Sequence, residues 1–130
     1  MKKLNIILVF VTAILLTISV SACSGKNADL GGNTVTVDEA LRLWQNKEAV
    51  IIDVRTMQEY QAGHIPEVPL LPLNEIESRT GEVPRNQKVL FICRSGNRSG
   101  QAVSLLKNKG FDNIYNIEGG MLAWRGPVIK

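Results

Sequence analysis

The sequence predicts an α/β domain: a small parallel β-sheet flanked by helices on both faces. The first observation is a pair of continuous apolar runs rich in β-branched residues, 49–54 and 88–93, typical of strands buried on both faces. The second is that helix signals separate these runs at the spacing of β–α–β units. A chain of 130 residues has room for one such domain.

The first two helices are predicted from the residues at their ends. Thr36 followed by Glu39, and Thr56 followed by Glu59, have the spacing of capping boxes, in which two side chains satisfy free N–H groups of the first turn. Gly63 suits the position just after the second helix, because glycine accepts the backbone angles found there.

The second half of the domain repeats the alternation. Pro69 and Pro72 would confine residues 68–73 to an edge strand, since proline has no N–H for a sheet ladder, and Asn74 would cap a short turn of helix. The remaining predictions are a helix over 99–108 ended by a glycine, a strand over 114–117 and a last helix over 119–124.

Residues 1–22 have the pattern of a signal peptide. Lys2 and Lys3 precede an apolar run of about 17 residues, at the short limit for a membrane span. Residues 20–23 resemble the lipobox of bacterial lipoproteins, which implies lipidation of Cys23 as the first residue of the mature chain. The alternative is an uncleaved anchor. Both readings predict an exported domain on a membrane, and the first predicts lipid anchoring in a bacterial cell envelope.

The composition of residues 23–130 excludes several classes of function. Residues 23–33 are small and polar, as in a flexible linker, which leaves residues 34–130 for the domain. Without Lys2 and Lys3 the net charge is about +1, which gives no support to nucleic-acid binding. Two cysteines and one histidine cannot supply a disulfide framework or a four-cysteine zinc site, so no metal is expected.

The chemistry is predicted at Cys93, where the second buried strand ends. In a parallel sheet, ligands bind beyond the carboxyl ends of the strands. The polar loop that follows leads directly into a helix and consists of Arg94, Ser95, Gly96, Asn97, Arg98 and Ser99. Its N–H groups, the helix start and two arginines would all favour a thiolate and would hold a small oxyanion beside it. The alternative is a buried structural cysteine with solvated arginines.

Cys93–Ser99 (C-R-S-G-N-R-S) closely resembles the active-site loop of single-domain rhodaneses, the sulfurtransferases. Further segments of the chain resemble the family's segments in the same order, namely 52–55 with Glu59 and Tyr60, 63–66, 110–115 and 118–124. The chain departs from the family at 67–72, where the family usually has Gly-Ala and an extended apolar stretch. The shape of that wall is therefore not predicted.

The resemblance implies a two-step sulfur transfer. The Cys93 thiolate would take sulfane sulfur from a donor such as thiosulfate, and a thiol or cyanide would then remove it from the persulfide. No cofactor is implied. The expected partners are a small sulfur-containing anion and a thiol or protein acceptor, and the domain is expected to be a monomer.

Two rival functions remain open. Cysteine phosphatases place an arginine six positions after the cysteine, so that the loop wraps a tetrahedral oxyanion. Here that position is Ser99 and Arg98 comes one residue early, which disfavours phosphatase or arsenate chemistry. The second rival is a non-catalytic persulfide carrier or binding module, in which Cys93 receives sulfur from one protein and passes it to another.

The other conspicuous residues have two readings each. Asp53 and Arg55 form, in the family, a pair that supports the active loop, and the alternative is a plain turn. His64 could be a general base, although a turn-anchoring role is favoured because sulfur transfer from a thiolate needs little base help. Gly119–Gly120 could be an anion loop or a backbone turn. A Cys23–Cys93 disulfide is also open, although lipidation of Cys23 would exclude it.

Overall fold

The computed structural model describes residues 32–130, and the predicted signal peptide, Cys23 and most of the linker lie outside them. The elements in chain order are β1 (Thr34–Val35), α1 (Val37–Gln45), β2 (Ala49–Asp53), α2 (Met57–Ala62), 3₁₀ turns at Leu73–Glu75 and Thr80–Glu82, β3 (Lys88–Ile92), α3 (Asn97–Asn108), β4 (Ile114–Ile117) and α4 (Gly120–Ala123). No helix of this part of the chain has the length and apolarity needed to cross a membrane.

The four strands form one sheet in the order β1-β4-β3-β2, and every pairing is parallel. β3 is an interior strand between β4 and β2, so its carboxyl end opens at the middle of the sheet. Two apolar clusters cover the faces: one includes Ala102 and Leu106 of α3, the other Ala40 and Leu43 of α1. The predicted α/β fold, with helices on both faces, is confirmed.

The helix starts depend on their caps. Thr56 and Glu59 form the complete capping box predicted for α2. At α1 the box is half formed, because the Thr36 hydroxyl accepts from the Glu39 N–H while the Glu39 carboxylate bonds Arg42. The third helix begins two residues before the predicted position, at Asn97, since glycine takes the cap position and gives no side-chain signal.

Two local predictions were wrong. Residues 68–73 are not a strand, because Pro69 and Pro72 cannot donate to a ladder, and only Leu70 bridges Asp53 at the edge of β2. Asn74 is not a cap, since the 3₁₀ turn follows Pro72 and has no side-chain cap. Asn33, the last residue of the predicted linker, contacts the sheet, where its Nδ2 donates to the Ile114 carbonyl at 2.8 Å.

Candidate active site

Cys93 lies immediately after β3, at the carboxyl edge of the sheet, and is fully buried. The chain then turns through Gly96, whose φ of +99° is in the left-handed region that favours glycine. A Cβ at this position would lie 3.2 Å from the Gly119 nitrogen, so a side chain would also crowd the neighbouring turn. This sharp turn brings the first N–H groups of α3 back toward the cysteine sulfur.

The sulfur of Cys93 accepts several hydrogen bonds. The Gly96 N–H donates to Sγ at 3.1 Å, and the buried Ser99 hydroxyl lies 3.3 Å from the same atom. Burial by itself raises the pKa of the Cys93 thiol, but the Ser99 hydroxyl and the N–H groups of Ser99, Gly96 and Ser95 outweigh it and lower the pKa. The loop therefore favours the thiolate, which is the nucleophilic form.

The turn at Gly119 and Gly120 packs against the backbone of this loop. The N–H groups of Met121 and Leu122 donate to the carbonyls of Cys93 and Arg94 at 2.8 and 3.0 Å. A Cβ on Gly120 would lie 2.4 Å from the Cys93 carbonyl oxygen, so only glycine permits this approach. The carbonyls of Cys93 and Arg94 are thus satisfied, and the geometry favours the interpretation of the glycine pair as a backbone turn.

Arg98, predicted as part of the anion-binding loop, is paired with a carboxylate in the structure. Its guanidinium forms two hydrogen bonds with the Glu59 carboxylate, at 2.7 and 2.8 Å, and so joins α3 to α2. Glu59 also closes the capping box with Thr56, and these contacts, the Arg98 one foremost, lower the pKa of Glu59 to about 2. Arg98 therefore fixes the start of α3, and its charge is largely balanced by the carboxylate.

The rest of the predicted loop lies at the surface. Arg94, Ser95 and Asn97 are exposed, and within residues 32–130 Arg94 forms no ion pair. The Asn97 amide oxygen accepts from Gln101 inside α3. Of the two predicted arginines, Arg94 is thus the one whose charge is open to an approaching anion.

Asp53 and Arg55 form a buried ion pair, with the closest oxygen and nitrogen 2.7 Å apart. The same Arg55 nitrogen donates to the Gly63 carbonyl at 2.8 Å, and the Arg55 backbone N–H donates to the Asp53 carboxylate. The pair therefore braces the turn after α2, and its hydrogen bonds do not reach the Cys93 loop. The link between this region and β3 is the bond from the Val54 N–H to the Ile92 carbonyl.

His64 stabilises the same turn after α2. Its ring stacks on Tyr60 with centroids 3.8 Å apart, and its Nδ1 lies 2.9 Å from the Tyr60 carbonyl. Its backbone pairs with Ile129 in an antiparallel bridge that fastens the C-terminal segment. These contacts favour the anchoring reading of His64 over a general base.

Three residues of the site were missed as such in the sequence: Glu59, Gly120 and Asn116. Glu59 was predicted as a capping residue and as part of a segment that resembles the family, but its pairing with Arg98, which spans 39 positions, was not predicted. Asn116 gives a detectable signal, a polar side chain within a short apolar strand, and its Oδ1 lies 2.6 Å from the Ser99 hydroxyl oxygen. Among the described residues no group of histidine, cysteine, aspartate and glutamate could hold a metal ion.

A separate cavity of about 630 Å³ lies along the open edge of β2. Its lining includes Trp44, Val50, Pro69 and Pro84, and no residue of the 93–99 loop takes part. The wall formed by Glu67, Val68 and Pro69, where the sequence departs from the family pattern, borders this cavity. Leu71, also within the departing segment, instead packs in the same buried cluster as Cys93.

The fold and the site together define a class: a small parallel α/β domain with a nucleophilic cysteine in an amide-lined loop between a central strand and a helix. Residues 36–127 match the family model of the rhodanese-like domain. The chain belongs to that family.

Individual relatives support the assignment. The chain is 33% identical over 90 residues to thiosulfate sulfurtransferase GlpE of Pseudoalteromonas translucida, covering 69% of this chain and 86% of that protein. It is 42% identical over 78 residues, 60% of its own length, to YrkF of Bacillus subtilis, provisionally named a sulfur carrier, and spans 42% of that protein. The structure of the human single-domain sulfurtransferase TSTD1 superimposes with a TM-score of 0.65 at 27% identity, covering 72% of this chain and 96% of that one.

Proposed function

We propose that this domain is a sulfurtransferase that moves sulfane sulfur through a persulfide on Cys93. The observation that carries the proposal is the set of donors around the Cys93 sulfur, with the Gly96 N–H at 3.1 Å and the Ser99 hydroxyl at 3.3 Å. These donors lower the thiol pKa despite full burial, as a nucleophilic cysteine requires. The sulfurtransferase names of its relatives support the same chemistry.

The first step makes the persulfide. The Cys93 thiolate attacks the outer sulfur of thiosulfate, the sulfur–sulfur bond of the donor breaks, and sulfite leaves with the electron pair. The terminal sulfur of the new persulfide carries the negative charge. The loop N–H groups face this charge, and a preorganised set of such donors stabilises it without rearrangement.

The second step returns the enzyme to its starting state. A nucleophilic acceptor, cyanide or a thiolate, attacks the terminal sulfur, the persulfide bond breaks, and Cys93 leaves as a thiolate. Arg94, exposed at the mouth of the loop, would attract anionic donors, while Arg98 keeps the helix start in place through Glu59. The scheme needs no cofactor, and it predicts ping-pong kinetics.

A phosphatase role fits the site less well. The sixth position after the cysteine is Ser99, which is buried and bonded within the site, and the guanidinium of Arg98 is held by Glu59. No arginine of the loop is therefore placed to wrap a tetrahedral oxyanion. A persulfide carrier remains the second candidate, favoured by the similarity to YrkF. Steady turnover with thiosulfate and cyanide would separate an enzyme from a carrier.

We also propose, from the sequence of residues 2–23, that the chain is exported and anchored through a lipid on Cys23. The support is the charged start, the short apolar run and the small residues before the cysteine. A lipid anchor would place Cys93 outside the cytoplasm, near a membrane surface. The intact mass measured below tests this proposal as well, because cleavage and lipidation both change it.

The deciding experiment is the intact mass of the full chain purified from membranes and exposed to thiosulfate. We expect a gain of one sulfur atom that reductant removes, on a chain that begins at Cys23 and carries lipid. Cys93→Ser should show no sulfur gain and no thiosulfate:cyanide turnover. Full turnover in the Cys93→Ser protein would contradict the proposed function, and a sulfur gain without turnover would favour the carrier.

A further inference from the structure

The buried Ser99 hydroxyl has two possible hydrogen-bond acceptors. Its oxygen lies 3.3 Å from the Cys93 sulfur and 2.6 Å from the Asn116 Oδ1. A serine hydroxyl carries a single proton, so it can donate to only one of these two atoms at a time. The distance of 2.6 Å is that of a short hydrogen bond between oxygens. The Asn116 oxygen therefore competes strongly with the sulfur for the Ser99 proton.

We propose that Asn116 is a positioning residue that controls whether the Ser99 hydroxyl proton is donated to the Cys93 sulfur. This inference rests on the proposed role of Cys93 as the sulfur-carrying nucleophile. Asn116 lies on β4, beside β3 and beneath α3, and it reaches the sulfur only through Ser99. Its influence is therefore exerted through the direction of one hydrogen bond.

The two protonation states of Cys93 need opposite directions of this chain. With a neutral thiol, the S–H can donate to the Ser99 oxygen, and the Ser99 hydroxyl donates to Asn116 Oδ1. With a thiolate, the Ser99 hydroxyl donates to the sulfur, and its oxygen needs a donor behind it. An asparagine amide supplies either an oxygen acceptor or an N–H donor, so Asn116 can serve both states by turning its amide.

The surroundings allow that turn. Position 100, on the first turns of α3, is glycine, and a Cβ there would lie 3.4 Å from the Asn116 Nδ2. The absence of a side chain leaves space beside the amide nitrogen. A turned amide would place an N–H behind the Ser99 oxygen, and aligned hydrogen bonds of this kind strengthen one another.

The charged groups near the sulfur do not replace the Asn116–Ser99 hydrogen bond in stabilising the Cys93 thiolate. Arg98 faces Cys93 but is paired with Glu59, and Asp53 is paired with Arg55, so both local cations are balanced by carboxylates. Arg94 is exposed to water, which weakens its effect. The direct donors to the sulfur are the loop N–H groups and the Ser99 hydroxyl, and Asn116 acts on the last of these.

The test is the pH dependence of Cys93 alkylation in the full chain, followed on the tryptic peptide 89–94 so that Cys23 does not contribute. Asn116→Asp keeps the shape but offers only acceptors, so it holds the Ser99 proton away from the sulfur. We expect the apparent pKa of Cys93 to rise by about one unit or more. In a Ser99→Ala background the same change should shift the pKa less than half as far, because only the through-space charge effect remains.

Asn116→Leu provides the uncharged comparison and decides the matter if the aspartate variant folds poorly. It removes both the acceptor that competes for the Ser99 proton and the amide donor behind the Ser99 oxygen, so it should shift the pKa of Cys93 by a smaller amount with Ser99 present and leave it unchanged in the Ser99→Ala background. Equal shifts in both backgrounds, or a lower melting temperature with an unchanged pH profile, would overturn the proposal. Since alkylation does not require sulfur transfer, a failed thiosulfate assay would count against the proposed function and not against this coupling.

Discussion

Two loops of this domain occupy equivalent places and are built in opposite ways. Residues 54–56 follow β2, residues 93–96 follow β3, and both lead from a buried parallel strand into a helix at the same edge of the sheet. The first loop is closed by side chains, through the Asp53–Arg55 pair and the Thr56–Glu59 capping box. The second is closed by the backbone N–H groups of Met121 and Leu122, just after the Gly119–Gly120 turn, and its helix has no side-chain cap.

The difference leaves donors free for a ligand at the second of these two loops. At α2 the Glu59 N–H of the first turn is satisfied by the helix's own Thr56 side chain. At α3 the cap residue is Gly96, which has no side chain to offer, and its N–H donates to the Cys93 sulfur. A helix start that is not capped by its own sequence keeps its donors and partial positive charge for a ligand.

Gly120→Ala is the strongest test of this difference between the two loops. The added Cβ would meet the Cys93 and Arg94 carbonyl oxygens at 2.4 and 2.6 Å, so the turn that supports the second loop must move. We expect a loss of about 3 kcal/mol or more in the free energy of unfolding, from overpacking plus backbone strain. The rate of sulfur transfer should fall at least tenfold, measured together with thermal melting.

Gly110→Ala is the matched control. Gly110 has a φ of +87°, also left-handed, but a Cβ there would meet no atom within 4 Å. We expect it to cost about 1 kcal/mol from backbone strain alone and to leave the transfer rate unchanged. Equal effects of the two variants would show that the Gly119–Gly120 turn does not specifically support the Cys93 loop.

The two loops also differ in how far the sequence predicts them. Thr56 and Glu59 lie three residues apart, so their capping box can be read directly from the chain. The donors to the Cys93 sulfur are the Ser99 hydroxyl and backbone N–H groups, which no residue type identifies; the polar loop between a buried strand and a helix predicted the N–H groups as a set but not which of them reach the sulfur. The contact between Glu59 and Arg98 joins positions 39 apart, so helix packing, not local pattern, decides it.

The strands also differ in whether the local sequence or long-range pairing determines them. The strands at 49–53 and 88–92 were predicted nearly to the residue, because continuous apolar runs are strong local signals. β1 was missed because two residues are too few to carry a periodic pattern. Its place is set by pairing with β4, and that pairing depends on the whole sheet.

A smaller effect is expected from Glu59→Gln, which weakens the bridge between the two loops. Glu59 holds both the Thr56 cap and Arg98, so we expect a loss of about 1–2 kcal/mol in the free energy of unfolding, with the ion-pair part reduced by solvent screening. The folded-state pKa of Glu59 is about 2, below its ordinary value. Its contribution is therefore present above about pH 4.5 and is lost as the pH falls toward 2. Urea unfolding of both proteins across this range should show their stabilities converging at low pH.

Glu82→Gln is the control for Glu59→Gln. Glu82 also pairs with an arginine, Arg79, and its pKa is also lowered, but its side chain is 55% exposed and caps no helix. We expect no measurable change in the free energy of unfolding, since exposed ion pairs contribute little. If both glutamine variants behaved alike, the Glu59–Arg98 pair would be an ordinary surface contact and not a link between the loops.

The smallest expected effect is at Glu67, in the turn that the first loop braces through Arg55 and Gly63. Glu67 has a φ of +64°, a left-handed conformation at a position where the family usually has glycine. Glu67→Gly should therefore stabilise the domain by about 0.5–1 kcal/mol, with no change in sulfur transfer, as seen by urea unfolding and the turnover assay. Lys47, with a φ of +58°, is the matched position, and Lys47→Gly should give a similar gain. A gain at Lys47 combined with a loss at Glu67 would mean that the Glu67 side chain stabilises the wall beside β2 by more than its backbone strain costs.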